Sequence, residues 1–386
     1  MQEILKPPIK VDINIEQETT LVQGAFQTIG FIHENDTVGD RTVRITSLKD
    51  VVDAGFMKSS SLYNFCRAVF NQNSNMQVIS RVKRSSESYS EAYLVDTNDD
   101  YYYVVIESKN LIEVLTFNEL IQPDIKLQFF STTENVSDLV GGRKLVYWWQ
   151  PIFEEYLLYD SGSIVEADSG LLFELSTNSY PTTDGTDSWL FDNFVPVSDI
   201  VNWDSSGPVT LEVDDYSDEE ALTIPYYYPE AAWIGRCGWI FPSRIQWLYK
   251  TLVGAAVFDL KEIPLLSNSY TTIKDNPVTV GTGKTTRGYP IDQEVGLDWV
   301  KWAIQKNCWS LLYSSERVNA TQNGLLQFEQ RVKEPLDIAV RENLFSSYSI
   351  KERNLDRINN SVSFKFTATL LYSILGVDQV EGSIYQ

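Results

Sequence analysis

From Ser361 to Ile374 apolar and polar residues alternate. Val362, Phe364, Phe366, Ala368, Leu370, Tyr372 and Ile374 take the even positions; Ser361, Ser363, Lys365, Thr367, Thr369 and Ser373 take odd ones, with Leu371 the exception. Successive side chains of a strand point to opposite faces, so this run predicts a long, half-buried β-strand. The last residues, including Val377, Val380 and Ile384, read as a flexible, β-prone tail with Gly376 and Gly382 as bends. A similar alternation lies near the start, where Ile9, Val11, Ile13 and Ile15 are interleaved with Lys10, Asp12, Asn14 and Glu16 just after Pro7-Pro8. Proline cannot donate to a ladder, which makes this an edge strand. Each end either pairs inside its own domain or adds a strand to the sheet of a neighbouring subunit.

Between the ends, the pattern predicts strands over Leu21 to Ile32, Thr42 to Ile45 and Met76 to Val82. Ser47 looks like the N-cap of a short helix to Ala54 closed by Gly55, and Ser59-Ser60-Ser61 opens a helix carrying Leu62, Phe65, Ala68 and Val69. Strands alternating with helices indicate an α/β frame. From about Ser85 to Pro225 the sequence is rich in Tyr, Trp, Asp, Asn, Ser and Gly, with short strand candidates at Tyr102 to Ile106, Leu111 to Phe117, Lys126 to Phe130 and Leu171 to Leu175. Helical spacing returns over Glu230 to Ile240, Glu294 to Tyr313 and Gln322 to Leu344, the last with Pro335 expected to kink or split it. Asn276 to Pro290 reads as a Gly/Thr-rich loop.

Charge divides the chain. Of 53 acidic and 31 basic residues, Leu94 to Pro225 holds 26 acids and only Lys109, Lys126, Arg143 and Lys144, leaving 27 of each sign elsewhere. The formal net charge of -22 belongs to the middle third, which therefore reads as an acidic, β-rich module set into a balanced frame. The expected organisation is an N-terminal arm over 1–20, a discontinuous α/β core over 21–93 and 226–375, the insertion over 94–225 and a C-terminal arm over 376–386. Neither part supplies the basic footprint that nucleic acid demands. No run approaches eighteen uninterrupted apolar residues and no signal-peptide pattern opens the chain, which reads as soluble and unprocessed. At 386 residues, 13% of them aromatic, the chain has material for a generous core.

Candidate chemistry is sparse. Cys66, Cys237 and Cys308 are odd in number, far apart and in apolar contexts, which suits buried thiols rather than a disulfide framework or a metal site. His33 ends an apolar run with no neighbour to orient it as a base. Gly281-Thr282-Gly283-Lys284-Thr285 resembles the end of a phosphate-binding loop, but Val278 stands where the first glycine belongs, and Arg287, Gly288 and Pro290 follow where a helix should begin. Asp214, Asp215, Asp218, Glu219 and Glu220 lack the glycine-centred spacing of a calcium loop and read as a solvated surface. Trp148-Trp149, Trp189 and Tyr180 suit either core packing or stacking on sugar rings. Lys351, Arg353 and Arg357, near Arg331, Lys333 and Arg341, are either ordinary helix-surface charges or a face for an acidic partner. No catalytic, cofactor or metal residue is assigned.

Three stretches resemble the contractile tail sheath proteins of myovirus-type bacteriophages. They are Ile45 to Val82, with Gly55-Phe56 and Val69-Phe70-Asn71-Gln72 before Val78-Ile79-Ser80-Arg81; Ala231 to Ala255, with Gly-Arg-Cys-Gly, Trp247 and Leu252 to Gly254; and Gly288 to the end, with Asp292, Asp298-Trp299 and Asn323-Gly324. The resemblance lies in order and pattern over a little more than half the chain. It implies a non-enzymatic structural subunit of the phage tail, assembled in the host cytoplasm, stacking as hexameric rings around a tail tube. Its partners would be itself, the tube protein, and the baseplate and tail terminator proteins. The arms would be Ile9, Val11, Ile13, Ile15, Val377, Val380 and Ile384; the receiving strand would be Val362, Phe364, Phe366, Ala368 and Leu370; the tube-facing residues would be Lys351, Arg353 and Arg357. A host-glycan-binding or glycan-degrading protein using the acidic aromatic middle is the alternative.

Overall fold

The computed structural model describes residues 26–57, 60–95, 101–151 and 228–373 apart from 256, 259 and 275, and the backbone of three short strands between 164 and 196. Both predicted arms, and Asp214 to Glu220, Tyr180 and Trp189, lie outside the described residues. In chain order the elements are β1 (Thr28–Glu34), β2 (Thr42–Ile45), α1 (Leu48–Asp53), α2 (Ser61–Phe70), β3 (Gln77–Lys83), α3 (Tyr89–Leu94), β4 (Tyr103–Ile106), α4 (Leu111–Ile121), β5 (Leu127–Thr132), α5 (Ser137–Val140), β6 (Leu145–Trp149), β7 (Ile164–Glu166), β8 (Leu172–Leu175), β9 (Phe194–Pro196), α6 (Pro229–Cys237), β10 (Ser267–Ile273), β11 (Asn276–Gly281), α7 (Ile291–Ser314), α8 (Gln322–Arg341), β12 (Phe345–Asp356) and β13 (Ser361–Leu370).

The main sheet has eight strands in the order β11-β10-β6-β5-β4-β1-β3-β2. Strands β10, β6, β5, β4, β1 and β3 run parallel, while β11 and β2 pair antiparallel at the edges. Parallel strands need crossovers, and the crossovers cover both faces. Ile29 and Phe31 of β1 accordingly join a core with α1, α2, α6 and the start of α7, whereas Ile32 joins a second core with α3 and α4. Local signals agree with these elements. Ser47 closes a capping box with Asp50, Ser60 caps α2, and Gly55 has φ +88° just past α1. Among the described residues no helix is long and apolar enough to cross a membrane.

A third core, separate from the main sheet, gathers Val300, Ile304 and Cys308 of α7, Val332, Leu336 and Ala339 of α8, and Leu344 and Phe345 at the base of the β12–β13 hairpin. Helix α7 serves two cores, since Ile291 and Val295 in its first turns lie in the main one. Tyr102, whose hydroxyl donates to Asp298 Oδ2 at 2.7 Å, and Lys144, which also meets Asp298, fix that helix to the sheet.

Several expectations need correction. The acidic stretch from Leu94 to Pro225 is not one separate module: β4, β5 and β6 are central strands of the main sheet. Leu111 to Phe117, expected as a strand, begins helix α4, capped by the Asn110 side chain on the N–H groups of Ile112 and Glu113. The run Leu111, Ile112, Val114, Leu115, Phe117 is apolar at nearly every position, so strand and helix share the same signature there. Asn276 to Gly281 is strand β11, not loop. Helix α8 runs unbroken through Pro335, and β12 is a strand, so Lys351 and Arg353 are not helix-surface charges.

Candidate assembly interface

The hairpin β12–β13 presents backbone hydrogen-bonding edges. Among the described residues the two strands pair only with each other. In antiparallel pairs, opposite residues share a face. The register sets Tyr348 against Ala368, Ile350 against Phe366, Arg353 against Phe364 and Leu355 against Val362 on one face. The other face carries Ser347–Thr369, Ser349–Thr367, Glu352–Lys365, Asn354–Ser363 and Asp356–Ser361. Phe364, Phe366, Leu370 and Tyr348 pack onto the core of α7 and α8, which explains the alternation seen in the sequence.

Strand β12 has register shifts between Phe345 and Ser347 and between Ile350 and Glu352, whereas β13 is unbroken over its ten residues. The second shift adds Lys351 and changes the parity of every residue after it. Arg353 thereby turns toward α8, where it lies 3.0 Å from Glu329. Lys333 meets the same carboxylate at 2.7 Å, and Tyr348 donates to Asp337 Oδ1 at 2.6 Å. At the hairpin tip, Asp356 accepts from the N–H groups of Ile358 and Asn359 and from the Asn359 amide; these bonds hold its carboxyl below the usual carboxylate range. Of the three basic candidates, Arg353 is committed to Glu329. Lys351 and Arg357 are exposed and form no ion pair among the described residues.

The described chain ends at the foot of this hairpin. Gln293 donates to the carbonyl of Leu371 at 3.2 Å and the Ser373 hydroxyl donates to Asp292 Oδ2 at 3.2 Å. Burial raises the Asp292 carboxyl, and the Ser373 hydroxyl opposes that rise. These contacts, and the trio of Tyr102, Lys144 and Asp298, carry no sequence signal: each joins residues far apart in the chain through single polar atoms.

The other candidates resolve into structure. His33 is buried, bonded to Ser80 Oγ at 2.8 Å and stacked on Phe31, and desolvation lowers its pKa to about 4. Gly281 to Thr285 is a corner that ties β10 to α7: Asn268 Oδ1 accepts from the Gly283 N–H at 2.8 Å, and Gly283 O accepts from the Ile291 N–H at 3.0 Å. Trp148 is buried against Trp233, their ring centroids 5.2 Å apart, and the Trp149 indole donates to Thr133 O, so this pair packs rather than stacking on a ligand. All three cysteines are buried as free thiols, and burial raises their pKa values. Among the described residues no three His, Cys, Asp or Glu side chains converge on a metal position.

No protein-family model and no curated protein matches the sequence. Solved structures do match. The chain is similar to the anti-feeding prophage (AFP) helical sheath in its contracted state, with a TM-score of 0.59, 10% identity and 99% of each chain covered. It is similar to the PVC sheath complex of an extracellular contractile injection system in the contracted state, with a TM-score of 0.55, 11% identity, and 98% of this chain and 99% of that one covered. A chain of the 6-fold symmetrised AFP baseplate matches at a TM-score of 0.56 and 10% identity, over 97% of this chain and 99% of that one. The chain thus has the fold of contractile injection system sheath proteins.

Proposed function

We propose that this chain is the sheath subunit of a contractile, phage-type tail: a structural protein, not an enzyme, that polymerises as stacked hexameric rings around a tube. The observation that carries this reading is the end-to-end likeness to a helical sheath, 99% of both chains at a TM-score of 0.59. In this reading the segments of Ile9, Val11, Ile13 and Ile15 and of Val377, Val380 and Ile384 add strands to hairpins of neighbouring copies, with β13 from Val362 to Leu370 receiving. A two-stranded hairpin is marginal alone, and an added strand satisfies the backbone groups along its edge. Backbone ladders survive reorientation of a subunit provided the connecting segments bend, so the lattice stays joined while each body moves nearly rigidly to shorten the sheath and drive the tube through an envelope.

Lys351 and Arg357 face the tube in this account, and Arg353 contributes less because Glu329 neutralises it. Residues 152–227 hold 17 acids and no Lys or Arg and form the outer, protruding part. The further partners are the baseplate and terminator proteins, with assembly in the host cytoplasm. Deleting Met1 to Ile15, or Val377 to Gln386, tests the proposal. The truncated chains are expected to keep their circular dichroism and melting transition yet fail to polymerise; truncated chains that polymerise normally would count against it.

A further inference from the structure

Strand β13 ends at Leu370, yet the chain is held for three residues beyond it. The Leu371 N–H donates to Leu344 O at 3.0 Å, the Leu371 carbonyl accepts from Gln293 Nε2 at 3.2 Å, and the Ser373 hydroxyl donates to Asp292 Oδ2 at 3.2 Å. Leu344 is itself fixed, because its side chain fills the notch at Gly296: a Cβ there would stand 2.5 Å from Leu344 Cδ1. Gln293 is 2% exposed, a costly place for a side-chain amide unless it satisfies a backbone group. Tyr372, between the clasped residues, is 71% exposed, so the grip is on the main chain and on one hydroxyl rather than on an apolar anchor.

The other end of the described chain leaves from the same helix. Phe26 stacks on Tyr102 with ring centroids 4.2 Å apart and meets Trp302 of α7 at 5.7 Å. Asp292 and Trp302 are separated by about 15 Å along the helix axis, at 1.5 Å of rise per residue. The Tyr102 and Lys144 contacts to Asp298 lie between them.

We propose that the first turn of α7 is a collar that sets the direction in which the C-terminal tail leaves the body, with Gln293 and Asp292 as positioning residues for that tail. Its consequence for assembly rests on the sheath reading: a tail leaving a fixed collar meets a neighbouring copy at a defined place, with part of its ordering entropy already spent. Because α7 also carries the contact made by Phe26, the first described residue and the last are both held by one helix.

The test is the distance distribution between spin labels on the full chain carrying Leu312→Cys and Leu375→Cys; the native cysteines are buried and do not compete for label. The parent is expected to give one narrow peak, and Gln293→Ala with Asp292→Ala to lose it. Asp292→Asn keeps an acceptor for Ser373 and retains the peak. Ser373→Ala, which leaves the helix untouched, broadens it even if the double variant is unstable. A broad parent distribution, or a peak unchanged in both the double variant and Ser373→Ala, overturns the collar. Polymerisation of the same samples separates the two ideas. A parent with a narrow peak that never polymerises defeats the sheath reading and leaves the collar standing, whereas a polymerising parent with a broad peak does the reverse.

Discussion

Arg353 Nη2 lies 3.0 Å from Glu329 Oε1, and Lys333 Nζ lies 2.7 Å from the same oxygen, so one buried carboxylate ties strand β12 to helix α8. Glu329 is 3% exposed, while its two cationic partners keep substantial contact with water. Glu329→Gln is expected to cost roughly 1–2 kcal/mol, because the two cations lose their counter-charge at a partly screened site. Lys351→Glu is expected to leave the urea midpoint unchanged. Urea unfolding of both variants checks the pair.

Asp298 stands at the other end of the same scaffold, receiving Lys144 and the Tyr102 hydroxyl inside the junction between the main sheet and α7. Asp298→Ala leaves a buried lysine without its partner, and its expected cost is about 3–5 kcal/mol. The double change Lys144→Met with Asp298→Leu removes both charges together and is expected to recover much of that loss. Guanidinium unfolding of the two variants measures the difference.

His33 makes stability depend on pH. Its folded pKa is about 4 against an ordinary 6.5, so between those values the unfolded chain binds a proton that the folded chain does not. Stability from this residue is fully present above about pH 6.5 and is lost as pH falls toward 4, by up to on the order of 3 kcal/mol. In His33→Gln the slope of stability against pH over that window should shrink relative to the parent. Equal slopes in urea titrations at a series of pH values would contradict this.

Residues 152–227 connect β6 to α6 in sequence, two elements whose Trp148 and Trp233 rings are in contact. Replacing them with a short Gly/Ser linker is expected to preserve the melting transition of the remainder, since chain ends that leave and return at neighbouring elements close cheaply. Loss of cooperative melting in the shortened protein would overturn that expectation.

Strands β2 and β13 and helices α1 and α2 are legible through periodicity and serine caps: Phe364, Phe366 and Leu370 of β13 are half-buried against α7 and α8, and Ser47 and Ser60 cap α1 and α2. Strand β10 is not legible in this way: it reads Ser-Asn-Ser-Tyr-Thr-Thr-Ile, and its buried Asn268 is satisfied by Tyr147 O and the Gly283 N–H rather than by apolar packing. Strand β12 was hidden by its bulge at Lys351, which breaks the alternation in mid-strand, so Arg353 looked like a free surface charge. Strands β4 to β6 were assigned to the acidic insertion because charge was used as the boundary. Strands β4, β5 and β6 themselves carry no acidic residue, so charge does not mark where the sheet ends. The candidate interface was legible in β13 alone; the collar and the Glu329 contact are long-range pairings that no local pattern announces.

The most direct measurement of the central claim is negative-stain electron microscopy of the purified full-length chain. The account predicts long hollow cylinders built from stacked six-fold rings. A chain that stays a well-folded monomer at every concentration and ionic strength tested, with no rings or cylinders, would contradict it.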